Sequence, residues 1–172
     1  MVRVLGTHGS AGASIAAVAA EAGVAPGLVH HHFNDRQDLF AAALDVMVAA
    51  FRARTRETDT GEGAVADYAD AALALGARSD VVAARAWVGL FAEAVSDPVL
   101  FDAMRRVLAT EVAAIQRRSR NRLSAHDASA VLAFIVGALV FGAFAPRITA
   151  GFAAPALRRF LRSVETNSRD SR

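Results

Sequence analysis

The chain has 172 residues, of which 54% are hydrophobic and 21% are charged. This composition excludes a disordered protein, and a chain of this length can bury a core without disulfides or a metal ion. The absence of cysteine excludes disulfides, cysteine-based zinc or iron–sulfur sites and cysteine nucleophiles, and the net charge of +2 means that any nucleic-acid site must be a local patch.

Glycine, proline and capping residues divide the chain into segments with helical periodicity, which predicts an all-α fold. A short first helix is predicted from Met1 to about Thr7, and the N-terminal apolar stretch is too short for a signal peptide, which favours the cytoplasm. Residues 58–63 are linker-like, and residues 165–172 form a polar tail. The other predicted helices cover residues 14–22, 26–33, 36–56, 64–75, 80–94, 98–122, 126–145 and 155–164.

The segment from residue 14 to residue 33 has the local signals of two short helices joined by a tight turn. Ser14 is a good N-cap, Gly23 stands where a helix must end with a positive φ, and Pro26 fits the first turn of the next helix. Such a pair is a helix-turn-helix, whose second helix lies in the major groove of DNA. A helical hairpin without a DNA role has the same local signals, so the turn alone leaves both interpretations open.

The residues after the turn strengthen the DNA-binding interpretation. Val29 and Phe33 are four apart and predict an inward face for the second helix. Asp35, followed three residues later by Asp38, approximates a capping box for the next helix.

From about Gly9 to Leu44 the sequence resembles the tetracycline-repressor (TetR) family of bacterial transcription regulators. The resemblance rests on Ser14, the Ile15-x-x-Val18-Ala19 face, Ala22-Gly23-Val24, Gly27-Leu28-Val29-His30-His31-His32-Phe33 and Asp35-Arg36-x-x-Leu39. It implies a helix-turn-helix domain over residues 1–45, a helical ligand-binding and dimerisation domain over residues 46–172, and a homodimer on a double-stranded DNA operator.

The resemblance also implies roles for individual residues. Those expected at base edges are Pro26, Gly27, Leu28 and His31, and those expected at the DNA backbone are Ser14, His30, His32 and Arg36. His30 stands where the family usually has tyrosine, so we expect its phosphate contact to strengthen as imidazole gains a proton. The first helix is expected to be truncated relative to the family's four turns, which removes part of the core of the DNA-binding domain.

Two further sets of residues are expected in the C-terminal part. Candidates for lining a pocket for an unknown, largely apolar effector are Tyr68, Trp87, Phe91 and Met104, with Arg85 and Glu93 as polar candidates; a packed core with solvated charges is the alternative. Residues 128–145 carry one polar side chain, Ser129, and are long enough for a membrane span. The small residues favour instead a four-helix dimer interface, without a membrane, formed by Ala133, Gly137, Phe141, Leu157, Phe160 and Leu161.

No catalytic constellation or cofactor motif is present, so an enzyme is not expected. The three consecutive histidines lie about 100° apart on a helix and cannot converge on one metal ion. The sequence therefore predicts a ligand-responsive DNA-binding regulator, a repressor released from its operator by a small molecule, with the fourth helix as a lever between the domains. The alternatives are a helical ligand-binding or interaction protein that has lost DNA binding, and a protein anchored in a membrane through residues 128–145.

Overall fold

The computed structural model describes residues 1–56, 64–77, 81–145 and 155–163, and the regular structure in these ranges is entirely α-helical. The all-α prediction is therefore confirmed. The linker predicted at 58–63 and the polar tail at 165–172 lie outside the described residues. The helices are α1 (Val2–His8), α2 (Ile15–Ala22), α3 (Pro26–His32), α4 (Arg36–Arg56), α5 (Ala64–Ala77), α6 (Val81–Ser96), α7 (Pro98–Arg118), α8 (Ala125–Phe144) and α9 (155–163).

Local capping produces the turn between α2 and α3 as the sequence predicts. The hydroxyl of Ser14 accepts a hydrogen bond from the Ala17 amide at 3.1 Å, which satisfies a free N–H group at the start of α2. Gly23 ends the helix with φ 67° and ψ 30°, and the amide of Val24 donates to the carbonyl of Ala19 at 3.0 Å. A side chain at Gly23 would be strained, because L-residues rarely adopt this left-handed conformation.

Helix α4 starts at a second local cap and continues without a break into the C-terminal part. Asp35 accepts a hydrogen bond from the Asp38 amide at 2.9 Å, and Asp38 accepts one from the Asn34 amide, also at 2.9 Å. The boundary expected between residues 45 and 46 lies inside this 21-residue helix. The N-terminal part, residues 1–45 and hereafter the head, is thus joined to the rest, hereafter the body, by a rigid element.

Helix α7 is shorter than the sequence prediction. It ends at Arg118 rather than at Arg122, because Arg120 and Asn121 have positive φ angles of 55° and 58°. Left-handed residues cannot continue a right-handed helix. The next helix then starts at a capping box in which Ser124 and Asp127 bond to each other's backbone amides.

Helix α8 is the most apolar of the described helices, and α5, α6 and α7 all pack against it. It is long and apolar enough to cross a membrane, with a mean hydropathy of 2.1, and 44% of that stretch is buried inside the protomer. The core helix of a globular protein meets the same length and composition test, so this feature alone is weak evidence for a membrane span.

Candidate functional site

Helix α3 presents its predicted DNA-contacting residues to solvent. Val29 is 6% exposed and anchors the helix inward, and Phe33 is partly buried against the same core, as predicted. The exposed residues are Pro26, Gly27, Leu28, His30, His31 and His32, and Leu28 keeps 51% of its surface accessible. Ser14 is also exposed, and its hydroxyl retains a proton to donate while it caps α2.

Arg36 does not join this exposed set. Its guanidinium forms a two-pronged ion pair with Glu93 on α6, in which Nη1 meets Oε1 and Nη2 lies 3.0 Å from Oε2. The same group donates to the carbonyls of Ser10 at 2.7 Å and Ala13 at 3.0 Å, and it lies 4.4 Å from the ring centre of Phe40. Four of its five N–H donors are therefore engaged within the protein, at the junction of head and body. The phosphate contact that the family resemblance implies for Arg36 stays a prediction.

Two glycines allow α1 to lie directly on α6. A Cβ atom at Gly6 would overlap the carbonyl oxygen of Val82, and one at Gly89 would lie 3.4 Å from a methyl of Leu5. Val4 and Leu5 are each 1% exposed at this contact. The first helix is as short as the sequence predicts, yet it is buried in the core through α6.

The opposite side of α6 lines a small apolar cavity. The cavity has a volume of about 40 Å³ and is lined by Val48, Phe51, Trp87, Phe91, Met104, Val107, Leu108, Glu111, Leu132, Ile135, Val136 and Leu139. Trp87, Phe91 and Met104 therefore lie where the sequence predicts a pocket, and the rings of Trp87 and Phe91 are 6.0 Å apart. Ligand pockets measure about 300–1,000 Å³, so the cavity is closed in this conformation.

One expected lining residue, Tyr68, and both polar candidates, Glu93 and Arg85, are absent from the wall of this cavity. Tyr68 is completely buried behind the cavity wall, where its hydroxyl donates to Glu111 at 3.1 Å. Glu93 faces Arg36, and Arg85 is exposed and lies 3.5 Å from the carbonyl of Ala143. These differences from the expectation have one physical cause: tertiary contacts, which local spacing does not encode, decide where each side chain points.

Glu111, the one ionisable residue of the cavity wall, was not predicted from the sequence. It is 5% exposed, and its second carboxylate oxygen accepts from Arg52 on α4 at 2.8 Å. Arg118 covers the ring of Tyr68 at 4.7 Å. A buried carboxylate is tolerated only when it is paired and hydrogen-bonded, and here both of its oxygens have partners.

Replacing Tyr68 with phenylalanine is expected to lower the free energy of unfolding by about 1 kcal/mol, because Glu111 loses a buried hydrogen bond. Burial, followed by the negative charge of Glu111, raises the pKa of Tyr68 above its usual range. The native state therefore holds a proton that the unfolded chain releases near pH 10, so this contribution to stability is lost as the pH rises above about 10.

The phenolate absorbance of the chain reports on this residue alone, because Tyr68 is its single tyrosine. We expect that absorbance to appear only as the protein unfolds in an alkaline titration followed in parallel by circular dichroism. Ionisation near pH 10 in a protein that is still folded would contradict the buried hydrogen bond.

The expected dimer residues divide into two groups. Ala133, Gly137, Phe141 and Phe160 are exposed, with 46% of Phe141 and 38% of Phe160 accessible. Leu157 and Leu161 are 0% and 5% exposed and belong to the core of the protomer, because they form the inner face of α9. The surface available to a second copy is therefore the outer face of α8 and α9.

The second helix of the helix-turn-helix is exposed, and the head that carries it is docked on an all-helical body. This arrangement defines a DNA-binding regulator. Among the described residues, no group of three potential ligands is placed to hold a metal ion.

Comparisons with known proteins agree with this class. Residues 2–43 match the sequence profile of the bacterial regulatory proteins of the tetR family. The crystal structure of a TetR-family transcriptional regulator from Rhodococcus sp. superposes with a TM-score of 0.70 at 25% identity, covering 91% of this chain and 92% of that one. GusR from Salmonella enterica has the same fold, with a TM-score of 0.72 at 20% identity over 96% of this chain and 91% of that one. A comparison with curated protein sequences gives no match. Residues 2–43 therefore resemble the DNA-binding domain of the tetR family, and the whole chain shares the fold of these two structures.

Proposed function

We propose that this chain is a cytoplasmic, ligand-responsive transcriptional repressor without enzymatic activity. In this proposal a homodimer binds a double-stranded DNA operator through α3 and releases it when a small molecule enters the cavity. One observation carries the proposal: α6 holds the head on one face and lines the cavity with the other. Val82, Gly89 and Glu93 face the head, whereas Trp87 and Phe91 face the cavity.

The residues of α3 that are expected at base edges have few polar groups, so we expect them to recognise the major groove mainly through the shape of the DNA. Leu28 offers an apolar contact for a thymine methyl group, and His31 can form a directional hydrogen bond to a base edge. A Cβ atom added at Gly27 would meet nothing within 4 Å, so DNA can approach the backbone closely there. His30 and His32, together with the Ser14 hydroxyl, would contact phosphates.

The cavity supports a largely apolar effector. Aliphatic and aromatic side chains dominate its wall, and both oxygens of Glu111 are already bonded within the protein. A cavity of about 40 Å³ cannot hold a drug-sized molecule, so binding must move outward at least one of the helices that line it, which are α4, α6, α7 and α8. An effector changes operator affinity only if it favours the expanded state, and displacement of α6 would carry the head with it.

The exposed apolar face of α8, together with Phe160 on α9, supports the dimer. Phe141 and Phe160 lie on this face, and a Cβ atom added at Gly137 would have no neighbour within 4 Å, which leaves room for a close helix contact. A two-fold dimer would present two copies of α3 to two operator half-sites.

The proposal is tested by replacing Leu28 with aspartate in the full chain. A carboxylate on the exposed face of α3 would meet phosphates and base edges, and we expect affinity for a duplex selected from a random library to fall by about tenfold or more. Fluorescence anisotropy with the labelled duplex measures this change.

Val46→Asp is the matched control, because Val46 is 60% exposed on α4 and the substitution adds the same charge outside α3. If both variants lose the same affinity for DNA, the loss is due to general repulsion between the added carboxylate and DNA. That result would contradict the proposal that α3 contacts the operator. If selection enriches no duplex and the wild-type chain binds no DNA, the regulator proposal is wrong.

A further inference from the structure

The head has little permanent positive charge for a surface that binds DNA. Residues 1–45 contain two arginines, no lysine and four carboxylates, Glu21, Asp35, Asp38 and Asp45. Both arginines are paired: Arg3 meets Glu21 at 2.7 Å, and Arg36 is held by Glu93. Counted by side chains with neutral histidine, the head is therefore net negative, although affinity for DNA arises mainly from cations that neutralise phosphates.

Histidines are the remaining source of positive charge on the head. Four of the five histidines in the chain lie there, and three of them, His30, His31 and His32, form the last turn of α3. All three are exposed, and the rings of His31 and His32 are 5.3 Å apart. Protonated imidazole donates from both ring nitrogens, so each of these three side chains could offer a phosphate two N–H donors.

The charged groups near this turn are already engaged with other partners. On α2, which packs against α3, Glu21 binds Arg3. At the start of α4, Asp35 caps the Asp38 amide, Asp38 binds Asn34, and Arg36 binds Glu93. In the described part of the chain, none of these carboxylates forms an ion pair with a histidine, so a phosphate would be the first anion to meet each imidazolium.

We propose that protons are a signal for this regulator: operator binding is coupled to protonation of His30, His31 and His32, and acidification tightens it. This inference rests on the proposed contact between α3 and the operator. Histidine is the side chain that changes charge between pH 5 and 8, whereas arginine and the carboxylates keep theirs across most of that range. The charge that α3 brings to the DNA backbone therefore follows pH.

The test measures affinity of the full-length chain for a selected duplex at about pH 6 and about pH 8, each across a salt series. Affinity is expected to rise by about tenfold per pH unit for each proton taken up on binding. The slope of log affinity against log salt should steepen at the lower pH by about 0.9 for each new phosphate contact. A triple variant, His30→Gln, His31→Gln and His32→Gln, should lose both effects.

His126→Gln is the control, because His126 is exposed on α8, far along the chain from α3. It should behave as wild type, and circular dichroism of the triple variant should match wild type, because all three replaced residues are exposed. Affinity that is equal at both pH values, or pH dependence that survives in the triple variant, would overturn the inference and leave the proposed function intact. Absence of DNA binding at both pH values would instead overturn the proposed function on which the inference rests.

Discussion

Adding one methyl group at Gly6 is expected to separate the head from the body. The new Cβ of Gly6→Ala would overlap the carbonyl oxygen of Val82, which is backbone in the first turn of α6 and cannot rotate away. Overpacking of this kind costs about 1–3 kcal/mol. We expect the loss to fall in the upper part of that range, because Val4 and Leu5 leave the core together with Gly6.

Gly27→Ala provides a matched control for this experiment. The same atom is added within a helix, but nothing lies within 4 Å of it. Alanine is favoured over glycine in helices by about 1 kcal/mol, so this variant should be as stable as wild type or more stable. Urea unfolding followed by the fluorescence of Trp87, the single tryptophan, measures both. A Gly6→Ala protein as stable as the Gly27→Ala protein would show that α1 does not lie on α6 as described.

The helix-turn-helix could be predicted from sequence because its determinants are local. Ser14, Gly23 and Asp35 each act within four residues of their own position, through a cap or a left-handed turn. The inward face of α3 follows from helical spacing alone, which places Val29 in the core. The end of α7 depends on Arg120, which adopts a left-handed conformation that arginine does not favour. The predicted end of α7 was therefore wrong.

The junction between head and body could not be predicted in the same way. Arg36 and Glu93 are 57 residues apart, and Arg52 and Glu111 are 59 apart, so no spacing rule connects them. The family resemblance implies that Arg36 contacts a phosphate. Only the fold shows that its guanidinium already pairs with a carboxylate on α6. Tyr68 illustrates the same limit, because an aromatic residue on a helix can equally line a cavity or lie behind its wall.

The two faces of α6 contain a signal that is visible in the sequence itself. Val82, Gly89 and Glu93 recur at intervals of seven and four, which places them on one face of a helix, and Trp87 and Phe91 lie on another. A glycine in the middle of a helix lowers its stability, so Gly89 indicates a close approach of another backbone. Which helix approaches is a property of the tertiary fold.

Replacing Arg36 with lysine is expected to weaken the junction although it preserves the charge. The guanidinium of Arg36 bonds at once to Glu93, Ser10 and Ala13, and an ammonium group cannot reproduce that planar fork. We expect Arg36→Lys to lower the free energy of unfolding by about 1–2 kcal/mol. Arg36→Met should cost about 2 kcal/mol, because it also leaves the Glu93 carboxylate without its partner. The partial exposure of Arg36 keeps both values below those of a fully buried pair.

The salt dependence of DNA binding separates this junction role from the phosphate contact that the family resemblance implies. Loss of one phosphate contact reduces the slope of log affinity against log salt by about 0.9. Because the Arg36 guanidinium is engaged inside the protein, Arg36→Met should leave the slope at its wild-type value while stability falls. A reduced slope with unchanged stability would return Arg36 to the DNA backbone. A reduction in both would mean that the side chain leaves Glu93 when the operator binds, so that one arginine serves the junction in the free protein and the phosphate in the complex.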